Sequence, residues 1–186
     1  MSRIDRAMQM IPRSIFLPPE VRERAGVDAP LPIGFAQTNS QPSTVQRMLQ
    51  WLDPQPGEKI LDVGSGSGWT TALLATLVGL GGVVYAVEKV PQLVYFGERN
   101  CKRAKVQNVH FCRAGDGYGL PQFSPYDRIL VSAAATELPG ALLAQLREGG
   151  RIVVPVGSSI HVVDKINDTT FNDAEYPGYV FVPLTP

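Results

Sequence analysis

Residues 58–69 read Glu-Lys-Ile-Leu-Asp-Val-Gly-Ser-Gly-Ser-Gly-Trp, and this stretch decides the fold. Ile60, Leu61 and Val63 make a short apolar run with charge before it and glycine after it. A strand this apolar is buried on both faces, as in a parallel sheet. Gly64, Gly66 and Gly68 follow at two-residue spacing, and from Thr70 to Leu77 the apolar period changes to that of a helix. Strand, glycine turn and helix open a βαβ unit. Glycine gives the turn access to positive φ and lets a ligand lie against bare backbone. The first amides of the helix point toward that ligand.

Working outward, Val83 to Val87 form a second apolar run that ends in Glu88. A dinucleotide site takes G-x-G-x-x-G, built around a pyrophosphate. This turn is G-x-G-x-G, with Asp62 two residues before its first glycine. A carboxylate there disfavours phosphate and suits an ammonium group. Glu88 lies 20 residues beyond Gly68, and an acid at that distance suits a ribose diol. Acid, glycine turn and second acid resemble the S-adenosylmethionine site of class I methyltransferases. The bland alternative is a tight turn and an ordinary surface glutamate.

The chain has 186 residues, enough for one α/β domain with a full core. Its divisions read as 1–44, a leading helix and a substrate and cofactor loop; 45–156, the cofactor-binding core; and 157–186, C-terminal strands. Hydrophobic content of 44% and charged content of 18% exclude a disordered chain. Seventeen basic and seventeen acidic residues cancel, so charge makes no case for nucleic acid as a partner. No apolar run reaches membrane-spanning length. Cys101 and Cys112 lack metal-ligand spacing, and no metal site is expected. Without a signal-peptide pattern they read as free thiols in a reducing cytosol. A cytoplasmic monomer is expected.

Near the start, Ile4, Ala7, Met8 and Ile11 recur at helical spacing, and Pro18-Pro19 stops any helix. Residues 25–44 are rich in proline and nearly free of charge, which describes a structured loop. Gln37 to Gln41 are five consecutive hydrogen-bonding side chains beside Phe35. They read equally well as a ligand-orienting site or, at Thr38, Asn39 or Ser40, as a cap for the helix that Pro42 begins. Further strands are expected at 109–112, 129–131 and 152–156, with a turn at Gly149-Gly150. Helices are expected at 42–52, 93–105 and 138–146. Residues 157–178 read as a hairpin or irregular excursion, and Tyr179 to Val182 as a last apolar strand. Gly115-Asp116-Gly117 sits at a strand end, where Asp116 suits an adenine amino group as well as it suits a plain Asp-Gly turn. Strands alternating with helices imply a mainly parallel sheet flanked by helices on both faces, with ligands at the carboxyl ends of the strands. Asp62, Glu88 and Asp116 all fall at such ends.

The chain resembles the protein-L-isoaspartate O-methyltransferase family over nearly its whole length. The resemblance rests on Pro12-Arg13 with Phe16-Leu17-Pro18; on Leu31-Pro32-Ile33-Gly34 followed by Gln37-Thr38 and Ser40-Gln41-Pro42; on residues 62–68; on Gly115-Asp116-Gly117; on Tyr126-Asp127-Arg128-Ile129; and on Phe181-Val182-Pro183-Leu184. It implies the Rossmann-like fold of class I methyltransferases and S-adenosyl-L-methionine as cofactor, leaving S-adenosyl-L-homocysteine. It assigns cofactor binding to Gln37, Thr38, Asp62, Gly64, Ser65, Gly66, Gly68, Glu88, Lys89, Asp116 and Gly117. It assigns the substrate, an isoaspartyl protein or peptide, to Ile33, Phe35, Ser40, Val182 and Pro183, with Ser40 as the active-site serine. The family usually has an apolar residue at Asn39, glycine at Ala36 and tyrosine at Trp69. Its leading helix is longer and its 157–178 region fuller. These departures bear on substrate choice more than on the cofactor.

The implied reaction is methyl transfer to a carboxylate, which has a pKa of about 4 and is already a nucleophile at neutral pH. No general base is needed, and none is patterned around Ser40. Alternatives are a related methyltransferase with another substrate, such as a small molecule or RNA, and a non-catalytic adaptor that binds the cofactor.

Overall fold

The computed structural model describes residues 1–185. Helix α1, Arg3–Met10, starts at a capping box in which Ser2 and Asp5 satisfy each other's amides. Short 3₁₀ helices at Arg13–Phe16 and Pro19–Arg24 replace further helix where Pro12, Pro18 and Pro19 interrupt it. Strands β1, Leu31–Gly34, and β2, Gln37–Asn39, form a separate antiparallel hairpin. The core follows as α2, Pro42–Leu52; β3, Lys59–Val63; α3, Trp69–Val78; β4, Val83–Glu88; α4, Pro91–Arg103; β5, Val109–Arg113; β6, Tyr126–Val131; α5, Gly140–Leu143; β7, Leu146–Val156; β8, Ser159–Lys165; and β9, Phe171–Pro177.

The main sheet has seven strands in the order β5-β4-β3-β6-β7-β8-β9. Strands β3 to β7 pair in parallel, and β8 and β9 continue the sheet antiparallel. The chain runs outward from β3 to β5, then crosses back to place β6 on the other side of β3. That reversal opens a crevice at the carboxyl ends of β3 and β6, where ligands of doubly wound sheets bind.

Side chains alternate across each strand. Ile60, Val84, Leu130 and Val153 face one layer, built from α1, α2, α3 and Cys101 of α4. Leu61, Val63, Val87, Ile129, Val131 and Val154 face the other, covered by Leu120, Tyr126 and Leu142 of α5. Helices therefore lie on both faces, but the second face has one short helix and loops. A smaller cluster of Leu17, Leu31, Ile33 and Leu93 packs apart from both, and among the described residues no helix is long and apolar enough to cross a membrane.

Three expectations need correction. The helix expected at 138–146 shrinks to Gly140–Leu143, because Leu146 already pairs with Tyr126 as the first residue of β7. Gly149-Gly150 is not a turn before a strand but an irregularity within β7. An added Cβ at Gly150 would stand 3.0 Å from the Asp127 carbonyl oxygen, so the close approach of two backbones, not a chain reversal, requires glycine. Tyr179 to Val182 is not a strand. Residues 157–178 make the β8–β9 hairpin, which ends at Pro177 and Gly178. The chain then leaves the sheet edge and crosses over the carboxyl ends. Among the described residues its one strand-like contact is a bridge from Pro183 to Ala134.

Candidate active site

The turn after β3 folds as its glycines require. Gly64, Gly66 and Gly68 all have positive φ. At Gly68 packing adds a second reason. An added Cβ would stand 3.0 Å from the Cα and carbonyl oxygen of Gly97 in α4, so two glycines let the turn and a helix touch. Asn100 Nδ2 donates to the Ser67 carbonyl at 3.1 Å and fixes the turn from below.

Glu88, at the end of β4, reaches back to this turn. Its Oε2 accepts from the Gly66 amide and its Oε1 from the Val90 amide, each at 2.9 Å. The carboxylate is buried, yet it still lines the cleft. Each oxygen keeps lone-pair capacity for a further donor.

The cleft lies at the carboxyl ends of β3, β4 and β6, where ligands of such sheets bind. Gly64, Ser65 and Gly66 form one wall, Gln37, Thr38 and Ser40 another, and Glu88, Lys89 and Gly117 a third. Val182 and Pro183 form the rim, held by the Ala134 amide donating to Val182 O at 2.7 Å and the Leu184 amide donating to Ala134 O at 2.8 Å. Lys89 Nζ donates to Thr185 Oγ1 at 3.2 Å and joins rim to wall. A second groove, lined by Arg47, Tyr179 and Phe181, shares Thr38, Ser40, Ser132 and Val182 with the cleft. Ser40 stands where the two cavities meet.

Five expected site residues do not line the cleft. Asp62 is fully buried, on the face of β3 that carries Ile60. Its Oδ2 accepts from Thr71 Oγ1 at 2.6 Å in α3. Burial, with a smaller push from the Glu88 charge, raises its pKa to about 7 against the Thr71 bond. Strand alternation accounts for this: two residues before the turn, the side chain points into the layer below. Gly68 underlies α3. Ile33 is buried with Leu17, Leu31 and Leu93 and presses on the turn, its Cδ1 3.2 Å from where a Gly66 Cβ would stand. Phe35 is 54% exposed at the hairpin tip, and Asp116 is exposed beside cleft-lining Gly117.

The cleft also uses residues outside those expected. Ser132 directly follows β6, and strand-end logic would have found it. Ser67 belongs to the quoted turn. Leu184 and Thr185 carry no signal of their own, since only the crossing of the tail brings them there.

Ser40 is not the cap of α2. The cap position is Gln41, which makes no side-chain capping bond. Asp28 serves instead: its Oδ1 accepts from the Ser43 amide at 2.9 Å and its Oδ2 from Gln41 Nε2 at 3.0 Å.

The donor set fits a nucleoside cofactor. Bare glycine backbone lets a ligand approach closely. Glu88 offers a charged acceptor. Ser65 Oγ, buried on the wall, has no hydrogen-bond partner among the described residues and so suits a ligand polar atom. No group of three or more His, Cys, Asp or Glu that would hold a metal occurs among the described residues.

Comparisons with known proteins agree with this geometry. The family model for protein-L-isoaspartate(D-aspartate) O-methyltransferase matches residues 1–186. The protein-L-isoaspartate O-methyltransferase of Aeropyrum pernix is 48% identical, over 98% of this chain and 72% of that protein. That of Methanothrix thermoacetophila is 44% identical, over 98% and 87%. Among solved structures, a protein-L-isoaspartate O-methyltransferase superposes with a TM-score of 0.89 at 29% identity; this chain is covered fully and spans 62% of that one. A Plasmodium falciparum β-aspartate methyltransferase in complex with S-adenosyl-L-homocysteine superposes with a TM-score of 0.86 at 25% identity, over 100% and 91%. The chain belongs to the protein-L-isoaspartate O-methyltransferase family.

Proposed function

We propose that this protein, acting as one catalytic unit over its length, transfers the methyl group of S-adenosyl-L-methionine to the free carboxylate of L-isoaspartyl residues in damaged proteins or peptides. The observation that carries this is the position of Ser40 at the junction of the glycine-walled cleft and the second groove. When bound, the cofactor supplies a methyl group activated by a positively charged sulfur.

The chain's own residues do the rest. Gly64 and Gly66 present bare backbone to the cofactor, Glu88 accepts from its ribose hydroxyls, and Gly117 with neighbouring Asp116 takes the adenine end. Ser65 and Lys89 complete the wall. Ser40 Oγ makes no hydrogen bond among the described residues and donates to the substrate carboxylate, turning one oxygen toward the methyl. No base is needed, because the carboxylate is ionised at neutral pH. Val182 and Pro183 cover the rim and exclude water, so alignment and desolvation supply the catalysis. The neighbouring amide nitrogen of the substrate then attacks the methyl ester and expels methanol, giving a succinimide, and water reopens that ring to aspartate or back to isoaspartate. Phe35, exposed at the hairpin tip, meets the flanking chain of the substrate. The reading includes a cytoplasmic monomer with no nucleic-acid or membrane partner.

Methyl-labelled cofactor incubated with an isoaspartyl peptide, and with the same peptide carrying normal aspartate, tests this. Base-labile label is expected on the first peptide alone. Cofactor binding without label transfer leaves an adaptor, and label on RNA identifies another enzyme.

A further inference from the structure

Arg13 is 5% exposed and has no carboxylate within ion-pair distance among the described residues. Its guanidinium donates to the carbonyls of Val27, Ala29, Asn39 and Ser40 at 2.9–3.0 Å, and lies 5.6 Å above the Trp69 ring. Its Nε donates to Asn39 Oδ1 at 2.7 Å. On the other side, Asn39 Nδ2 donates to Ser67 Oγ at 3.0 Å.

These contacts settle the amide's orientation chemically. Arginine has only donors, so the Asn39 oxygen must face it and the NH₂ must face Ser67. Ser67 Oγ then accepts, and its own proton is left to point elsewhere. Ser67 lines the cleft. The apolar residue usual in the family at this position offers neither bond. One buried amide thus joins the glycine turn to the loop that carries Ser40.

We infer that Asn39 is a positioning residue: it transmits occupation of the glycine turn, through Ser67, to the backbone of the Ser40 loop, so that the cofactor orders the serine before substrate enters. A cofactor acceptor that takes the Ser67 proton strengthens the Ser67 oxygen as an acceptor for Asn39, because chained hydrogen bonds polarise one another. Arg13 then pins the carbonyls of residues 39 and 40 against the ordered amide. The catalytic consequence rests on the proposed role of Ser40. The ordering itself does not.

Hydrogen exchange of residues 37–41, with and without saturating S-adenosylhomocysteine, reads the coupling without any methyl transfer. In the wild type, ligand is expected to slow exchange there by about tenfold or more. In Asn39→Ile and, separately, Ser67→Ala, ligand still binds at higher concentration but the slowing is lost. Asn39→Asp keeps the acceptor for Arg13 but draws the Ser67 proton toward itself. It is expected to retain the ordered loop and lose cofactor affinity by about tenfold. Kinetics add a second reading: Asn39→Ile is expected to lower kcat more than it raises KM for the cofactor. Undiminished protection in both Asn39→Ile and Ser67→Ala overturns the inference, as does a wild-type loop that ligand leaves unprotected. If Asn39→Ile fails to fold, Ser67→Ala alone decides. A wild type that shows the protection but methylates no isoaspartyl peptide retains the coupling and refutes the functional reading.

Discussion

Ser40 carries no helix, since Asp28 supports the start of α2 from the 25–30 loop. Removing its hydroxyl therefore touches chemistry and spares the fold. Ser40→Ala is expected to lower kcat on an isoaspartyl peptide by about tenfold or more, the worth of one hydrogen bond to a charged group. The melting temperature and affinity for S-adenosylhomocysteine should stay close to wild type; an early melt with an unchanged rate would return the serine to a structural role. Glu88 differs, because its two oxygens also hold the Gly66 and Val90 amides. Glu88→Ala is expected to cost roughly 1.5–3 kcal/mol of cofactor binding, together with a lower melting temperature, because both amides lose their acceptor. Unchanged affinity by calorimetry rules out the ribose contact. At this scale, residue types were legible in the sequence and directions were only partly so. Glu88 was readable from its distance to Gly68. Asp62 was readable as an acid at a strand end, but its side chain follows the parity of Ile60 and points under α3. The Asn39 amide stood out only as a departure, and its partners lie 26 and 28 positions away.

The glycine turn works as an element because α4 comes close enough to hold it. Gly97, inside α4, makes that approach possible. An added Cβ there would stand 2.7 Å from Phe111 Cε1 and 3.2 Å from the Gly66 carbonyl oxygen. Glycine to alanine within a helix normally gains about 1 kcal/mol. Here the methyl must displace a ring of β5 and press on the cofactor turn, and overpacking of this kind costs about 1–3 kcal/mol. Gly97→Ala is therefore expected to destabilise the protein in urea unfolding and to weaken S-adenosylhomocysteine binding. A stabilised variant with intact binding would show that α4 is free to shift. The glycines of the turn were legible because they sit in a motif. Gly97 was not, because its reason lies in a neighbour from β5. The same limit explains the tail: Tyr179 to Val182 has the composition of a strand, but Pro177, Gly178 and Pro183 carry the chain off the edge of β9 and over the cleft.

For the whole molecule, alternation of strands and helices made the class of fold and the ligand end of the sheet legible. The strand order and the thin second layer were not, since both depend on pairings between distant segments. The buried centre beneath the turn also sets how the entire fold responds to pH. Asp62 ordinarily titrates near 3.8, and burial pushes it up to about 7 in the fold. The folded state thus prefers the protonated carboxyl. Below the unfolded value both states hold the proton and the contribution is fully present. Between the two values the unfolded chain releases a proton that the native state keeps, so stability falls as pH rises. Above the folded value both are ionised and the loss is complete. Other carboxylates titrate over part of this range, so the comparison must isolate Asp62. Asp62→Asn keeps an acceptor for Thr71 and removes the titration. The stability difference between variant and wild type should shift in the variant's favour from about pH 4 to about pH 8, by an amount of order a few kcal/mol. Urea unfolding of both proteins at several pH values measures that difference directly. A difference independent of pH would mean that Asp62 is ionised in the fold, with a counter-charge or water at its unpaired Oδ1 offsetting burial.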